Sequence, residues 1–159
     1  MKNLWAPWRM AYVKEHDSED VCFLCRDLAD GSQDTENYVL IRSALAFVIM
    51  NVFPYSNGHM MVSPRRHTGD FTGLTEAESA ELTRLTQECI RVLEETLKPH
   101  GYNIGLNLGE AAGAGVADHL HIHVVPRWTN DTNFMPVLAD VKLIPEHLTN
   151  TYRMLRESF

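Results

Sequence analysis

Between Asp118 and Trp128 (DHLHIHVVPRW), histidines at positions 119, 121 and 123 alternate with Leu120, Ile122 and Val124. Successive side chains of a strand leave opposite faces of a sheet. This period of two therefore predicts a half-buried β-strand with three imidazoles on one face and an aliphatic face against a core. Residues two apart on a strand are separated by roughly 6.5–7 Å, so one imidazole can meet a reacting atom while its neighbours contact groups beside it. The segment Gly109 to Gly115 (GEAAGAG) runs directly into this strand. Titratable groups converging beside a glycine loop mark a functional site more often than a row of solvated histidines.

The rest of the composition narrows what such a site can serve. A chain of 159 residues with a formal charge of −7 is long enough for one domain with a real core, and it lacks the basic face that nucleic acid or an anionic membrane requires. A small phosphate-bearing substrate stays open, because local donors and not net charge hold phosphate in a pocket. No apolar run approaches the ~20 residues of a membrane span, and the opening MKNLWAPWRMAYV has no signal-peptide pattern. A cytoplasmic protein is expected.

Three cysteines occur, Cys22 and Cys25 as Cys-x-x-Cys and Cys89 alone in a helical pattern. An odd count without a secretory signal disfavours a disulfide scaffold. With no βαβ pattern beside it, the pair reads as half of a zinc site if two further ligands exist, while Cys89 reads as core.

Along the chain, residues 1–20 form an aromatic segment with Trp5 and Trp8, expected to pack on the domain or on a partner subunit. Residues 26–36 are read as a polar loop with a turn at Asp30-Gly31. Tyr38 to Ile41 and Leu45 to Met50 are strands joined as a hairpin, and His59 to Ser63 is a third strand stopped by Pro64. Thr75 to Leu97 is the best helix: Thr75 and Glu78 make a capping box, and Leu82, Leu85, Cys89, Val92 and Leu93 share a stripe. Tyr102 to Leu108 is a further strand. In the C-terminal extension, 129–159, a helix is expected from Pro145 to Glu157, with Leu148, Tyr152 and Leu155 on one face. The sum is a single α+β domain over 1–159, an antiparallel sheet of about five strands with one long and one C-terminal helix.

These residues carry a resemblance. HLHIHVV, with the upstream GHMMVSP and the glycine loop, resembles the histidine triad superfamily of nucleotide hydrolases and transferases. LWAPWRMAY, NVFPYSNGHMMV, GLNLG and HVVPRW followed by NF are similar to its branch of bacterial diadenosine tetraphosphate phosphorylases and related dinucleoside polyphosphate hydrolases. The resemblance implies a homodimer whose sheets join edge to edge, with a nucleotide pocket on each subunit. It makes His121 the nucleophile, with His123 beside it for the phosphate and leaving group. Asn51 would hold the ribose, Asn107 would contact the phosphate side, and His59 matches the histidine that precedes the triad. It also implies one structural zinc per chain on Cys22, Cys25, His67 and His119. In many members a serine or threonine stands near position 116, whereas here the loop reads Gly113-Ala114-Gly115-Val116. A hydroxyl contact to the leaving group is thereby absent, and backbone donors of Gly113 and Gly115 remain.

The chemistry suits these residues. A phosphoanhydride resists nucleophiles because its oxygens repel them, so an uncharged imidazole is an apt attacker, and transfer splits into two displacements through a nucleotidyl-histidine. His121 must then present one nitrogen as a lone pair and satisfy the other, expected on a backbone carbonyl of a neighbouring residue. Trp128 is a further candidate substrate contact. Arg65, Arg66 and Arg127 are long enough to reach polyphosphate, although exposed arginines ordinarily only solvate a face. Two competing readings are a hydrolase whose catalytic zinc sits on His119, His121 and a third ligand, and a non-catalytic nucleotide-binding protein stabilised by zinc.

Overall fold

A computed structural model of the chain describes residues 21–132 and 146–159; the aromatic segment 1–20, the stretch from Met135 to Leu138 and the expected helix start at Pro145 lie outside the described residues. Five strands, β1 (Val39–Arg42), β2 (Ala46–Met50), β3 (Met60–Pro64), β4 (Gly101–Gly105) and β5 (Ile122–Arg127), form one antiparallel sheet in the order β1-β2-β3-β5-β4. The expected α+β architecture is therefore present, with β5 inserted between β3 and β4. The hairpin of β1 and β2 closes at Ser43, whose amide and hydroxyl both donate to the carbonyl of Ala46.

The long helix α2 (Glu76–Thr96) begins at the anticipated capping box: the Thr75 hydroxyl accepts from the Glu78 amide, and the Glu78 carboxylate accepts from the Thr75 amide. Its stripe of Leu82, Leu85, Cys89, Val92 and Leu93 is buried on Val48, Met50, Met60, Val62 and Val124 of the sheet. Each such aliphatic burial contributes about 1.5–3 kcal/mol. Cys89 is fully buried here, as its place on the stripe requires. Helix α3 (Leu148–Ser158) adds Tyr152 and Leu155 to the same core, and its N-cap is His147, whose Nδ1 accepts from the Thr149 amide.

Several boundaries differ from the sequence reading: β3 runs through Pro64, which pairs with Ala46 in place of stopping the strand. Part of the loop at 26–36 is helical: α1 (Phe23–Ala29) and a 3-10 turn at Gly31–Gln33 occupy it. A helix of seven residues shows too little periodicity to be read, and it forms because Leu24 and Leu28 pack against Val39, Phe47, Ile49 and Met61. β4 ends at Gly105, short of Leu108. β5 starts at Ile122, because the backbone of Leu120 bonds to the Thr68 carbonyl and the Ser63 side-chain hydroxyl in place of a neighbouring strand's backbone.

Cross-strand partners lie on the same side of a sheet. The register Val39, Ile49, Met61, His123 thus defines a face opposite α2, and α1 covers part of it. Among the described residues no helix is long and apolar enough to cross a membrane.

Glu78 also clamps the loop after β3. Both oxygens of its carboxylate take the Arg66 guanidinium, which with the Thr75 amide lowers the acid from about 4.5 to about 2. A depressed carboxylate stabilises the fold above its unfolded pKa and loses that contribution as it protonates. Melting temperature is expected to hold down to about pH 5 and to fall as the pH drops from about 4.5 toward 2, with a shallower fall in Glu78→Gln. Superimposable pH curves for the two proteins would remove Glu78 from this role.

Candidate active site and metal centre

The triad divides its work at His119. This ring is fully buried, and its Nε2 is 2.9 Å from the carbonyl of Pro64, to which it donates. Nδ1 is left as a lone pair, and it faces Cys22 Sγ and Cys25 Sγ, each at 3.4 Å, and His67 Nδ1 at 3.3 Å. His67 Nδ1 in turn lies 3.3 Å from Cys25 Sγ. A tetrahedral zinc with bonds of about 2.05 Å to nitrogen and 2.3 Å to sulfur has edges of roughly 3.35 Å between nitrogens and 3.6 Å between nitrogen and sulfur. The four donor atoms, all within 4.8 Å of one another, match that figure, and the His119 bond to Pro64 is the outer support that a ligating imidazole ordinarily has. Without a cation, burial and the neighbouring Cys22 push the Cys25 thiol up to about 11. A divalent ion reverses that preference by binding the thiolate.

His121 is 7% exposed, and its Nδ1 donates to the carbonyl of His119 at 2.9 Å. That bond leaves Nε2 carrying the lone pair, which is the tautomer an attacking imidazole needs. Burial lowers the pKa of His121 below the usual imidazole value, against the opposing effect of the carbonyl. The ring is accordingly uncharged at neutral pH.

The ring of His123 lies 4.9 Å from that of His121, nearly perpendicular to it. Its tautomer is set from behind. The amide of Tyr55 donates to His59 Nδ1 at 3.1 Å, so the proton of His59 sits on Nε2, which lies 2.9 Å from His123 Nδ1. His123 Nδ1 is then an acceptor, and its proton is on Nε2. Asn51 joins this chain: its Oδ1 accepts from the Phe53 amide and its Nδ2 donates toward His59 Nδ1 at 3.3 Å. Tyr55 lays its ring over His123, with centroids 5.7 Å apart and planes within 29°. His59 is fully buried and meets the site through His123 and Asn51.

Beside α1, at the Tyr38 and Met50 end of the β1–β2 hairpin, lies a pocket of about 230 Å³, lined by Phe23, Tyr38, Ile49, Met50, Asn51 and Met61, with Arg26, Asp27, Glu36 and Asn37 at its polar parts. Met61, one of its walls, is the register partner of His123. Tyr38 adopts a left-handed backbone at φ 57°, a costly conformation for a bulky residue. Its ring is held edge-on by Tyr152.

Other expected contacts are distributed differently. Asn107 Nδ2 donates to the Gly113 carbonyl at 3.4 Å, linking the end of β4 to the glycine loop. The Gly113 amide closes a turn on the Glu110 carbonyl at 2.8 Å, and Gly115 is exposed in the same loop. Trp128 stands beyond the far end of β5, five residues or roughly 16 Å of strand from His123, and is not brought to this chain's own histidines. Arg66 is committed to Glu78, Arg65 to the Ser43 carbonyl, and Arg127 to Asp131 and Asn103.

Sequence reasoning missed Phe23, Tyr38 and Tyr55. Only Phe23 carried a signal, its place between two metal-type cysteines.

Comparison with known proteins gives the family. Residues 32–130 match the model of the HIT domain. An AP-4-A phosphorylase of Mycobacterium tuberculosis is 41% identical over 98% of this chain and 83% of that protein. A bis(5'-adenosyl)-triphosphatase of Dictyostelium discoideum is 30% identical over 58% of this chain and 61% of its own length. Among solved structures, a Zn-bound histidine triad family protein from Mycobacterium smegmatis superposes with a TM-score of 0.68 at 27% identity, covering 86% of this chain and 91% of that one. A sheet whose strand β5 continues the histidine motif, and a sequence that matches the family model through that strand, have one reading: the chain belongs to the HIT domain family.

Proposed function

We propose that this protein is a nucleotidyl-transferring enzyme that cleaves dinucleoside polyphosphates such as diadenosine tetraphosphate. The observation that carries the reading is the buried, uncharged His121 with its Nδ1 proton tied to the His119 carbonyl and its Nε2 lone pair left for attack. One nucleoside occupies the pocket of Phe23, Tyr38, Ile49 and Met61, with Asn51 at its ribose. His121 Nε2 forms a bond to the adjacent phosphorus as the bridging oxygen departs with the nucleoside triphosphate. His123 Nε2–H donates a hydrogen bond to that oxygen, and the departing polyanion needs no proton. Positive charge gathering on the His121 ring is stabilised by the His119 carbonyl. The nucleotidyl group then passes to water, giving a monophosphate, or to inorganic phosphate, giving a diphosphate. His59 acts through His123, while Asn107 with Gly113 and Gly115 shapes the phosphate side.

Zinc is the ion that two thiolates and two imidazoles hold best in a closed tetrahedron. Cys22, Cys25, His67 and His119 would hold it, and it would brace the lead-in to β5 with no open position for substrate. That closure, with His121 turned to a carbonyl, argues against a catalytic metal on His121.

The relative named as a phosphorylase favours phosphate as acceptor. Product analysis on diadenosine tetraphosphate tests this: ADP with ATP formed only when phosphate is present is expected, AMP with ATP regardless of phosphate would make the enzyme a hydrolase, and no cleavage would sink the reading. The exposed edge of β4, with Ile104 on it and Leu108 just past its end, each 47% exposed, is proposed as the seam of a homodimer. Light scattering is expected to give twice the 18.1 kDa chain mass, and a monomer would exclude that seam.

A further inference from the structure

Helix α1 belongs to two sites at once. Cys22 is its N-cap and Cys25 lies in its first turn, while Phe23, Arg26 and Asp27, on a neighbouring strip of the same seven residues, line the pocket. A helix this short is not stable by itself, since isolated helices below ~12 residues are marginal in water. Its two ends are secured in different ways. The C-terminal end is held by the Arg42 guanidinium, which donates to the carbonyls of Leu28, Asp27 and Asp30, a favourable cation at a helix C-terminus. At the N-terminal end Cys22 makes no side-chain cap. That turn packs on the sheet through Leu24 and Phe23, and its two thiols reach across to His67 and His119.

The nucleophile does not share this dependence. His119 keeps its bond to the Pro64 carbonyl, and the flanking Leu120 is fastened through its amide to Thr68 and through its carbonyl to the Ser63 hydroxyl. The carbonyl that orients His121 therefore keeps these protein anchors when the metal is absent.

We propose that the metal bound by Cys22, Cys25, His67 and His119 orders the pocket wall of Phe23, Arg26 and Asp27, so that metal and nucleotide bind cooperatively, while the orientation of His121 is independent of the metal. The proposal rests on the nucleotide reading of the pocket. Its consequence is a division of kinetic effects: losing the metal raises KM and leaves kcat nearly unchanged. Linkage requires that the coupling be reciprocal, and couplings of this kind commonly amount to about 5–150-fold.

The test uses zinc and AMP as probes on the full chain. AMP binding is measured by calorimetry on zinc-loaded and chelator-stripped protein, and zinc affinity is measured by competition with a chromophoric chelator, with and without saturating AMP. AMP Kd is expected to rise at least fivefold on stripping, and zinc Kd to fall by the same factor when AMP is present. Far-UV circular dichroism of the stripped protein is expected to retain the sheet and α2. Equal AMP affinity in both forms would overturn the coupling. Collapse of the whole spectrum on stripping would also overturn it, because the metal would then support the entire fold and not one helix. Absence of AMP binding to the zinc-loaded chain would instead strike the nucleotide reading itself.

Discussion

Replacing His121 by alanine is expected to lower turnover of diadenosine tetraphosphate by roughly 10⁴-fold or more, as removal of a covalent nucleophile does, while zinc content stays at one per chain. The substitution also leaves a small cavity and deprives the His119 carbonyl of its donor, a loss of about 1–3 kcal/mol in stability. The fold should persist, because the β3–β5 ladder and the α2 core do not include this ring. Steady-state assay with metal analysis separates three readings. A catalytic metal on the triad predicts that zinc leaves with activity, and a non-catalytic binding protein predicts no turnover in either form. Wild-type activity in the variant would strip His121 of its assigned role.

Changing Cys22 to serine should reduce bound zinc from about one per chain to near zero after dialysis against a mild chelator. Serine is a poor zinc ligand at neutral pH, and three remaining donors do not close the tetrahedron. For a metal present at 10²–10³ times its Kd, mass action contributes roughly 3–4 kcal/mol to the folded state, and the variant should lose about that much in denaturant unfolding. Kinetically, a raised KM with kcat nearly intact is expected, since α1 loosens while His121 stays on its carbonyl. Metal content equal to that of the wild type would take Cys22 out of the ligand set.

Much of this was readable before any coordinates. The period-two run of histidines predicted a strand and its face, Thr75 with Glu78 predicted the start of α2 to the residue, and the stripe from Leu82 to Leu93 identified its buried side, including Cys89. Those signals are local. Capping depends on groups three residues apart, and amphipathic periods repeat within a single element. The motif and its similarity to a known superfamily named the four metal-type residues as well.

Less legible were features whose causes lie far apart in the chain. Helix α1 has no capping side chain and too few residues for a visible period, and packing of Leu24 and Leu28 against strands decides that it forms. The path of β5 was too long in the sequence reading because alternation continues through His119 and His121 after strand pairing has stopped. Trp128 follows the motif closely in sequence, yet the rise of β5 carries it to the opposite end of the sheet.

By itself the sequence determined which face the histidines occupy, where the long helix starts and what kinds of metal donors are available, because nearest-neighbour stereochemistry and hydrophobic period suffice for each. Only the tertiary structure decided that His119 turns to the cysteines while His121 turns to a backbone carbonyl, and that His59, 64 residues away, sets the tautomer of His123. A ring nitrogen is a donor or an acceptor according to the atom opposite it, and which atom that is depends on the pairing of β3 with β5, a long-range contact that no local pattern encodes.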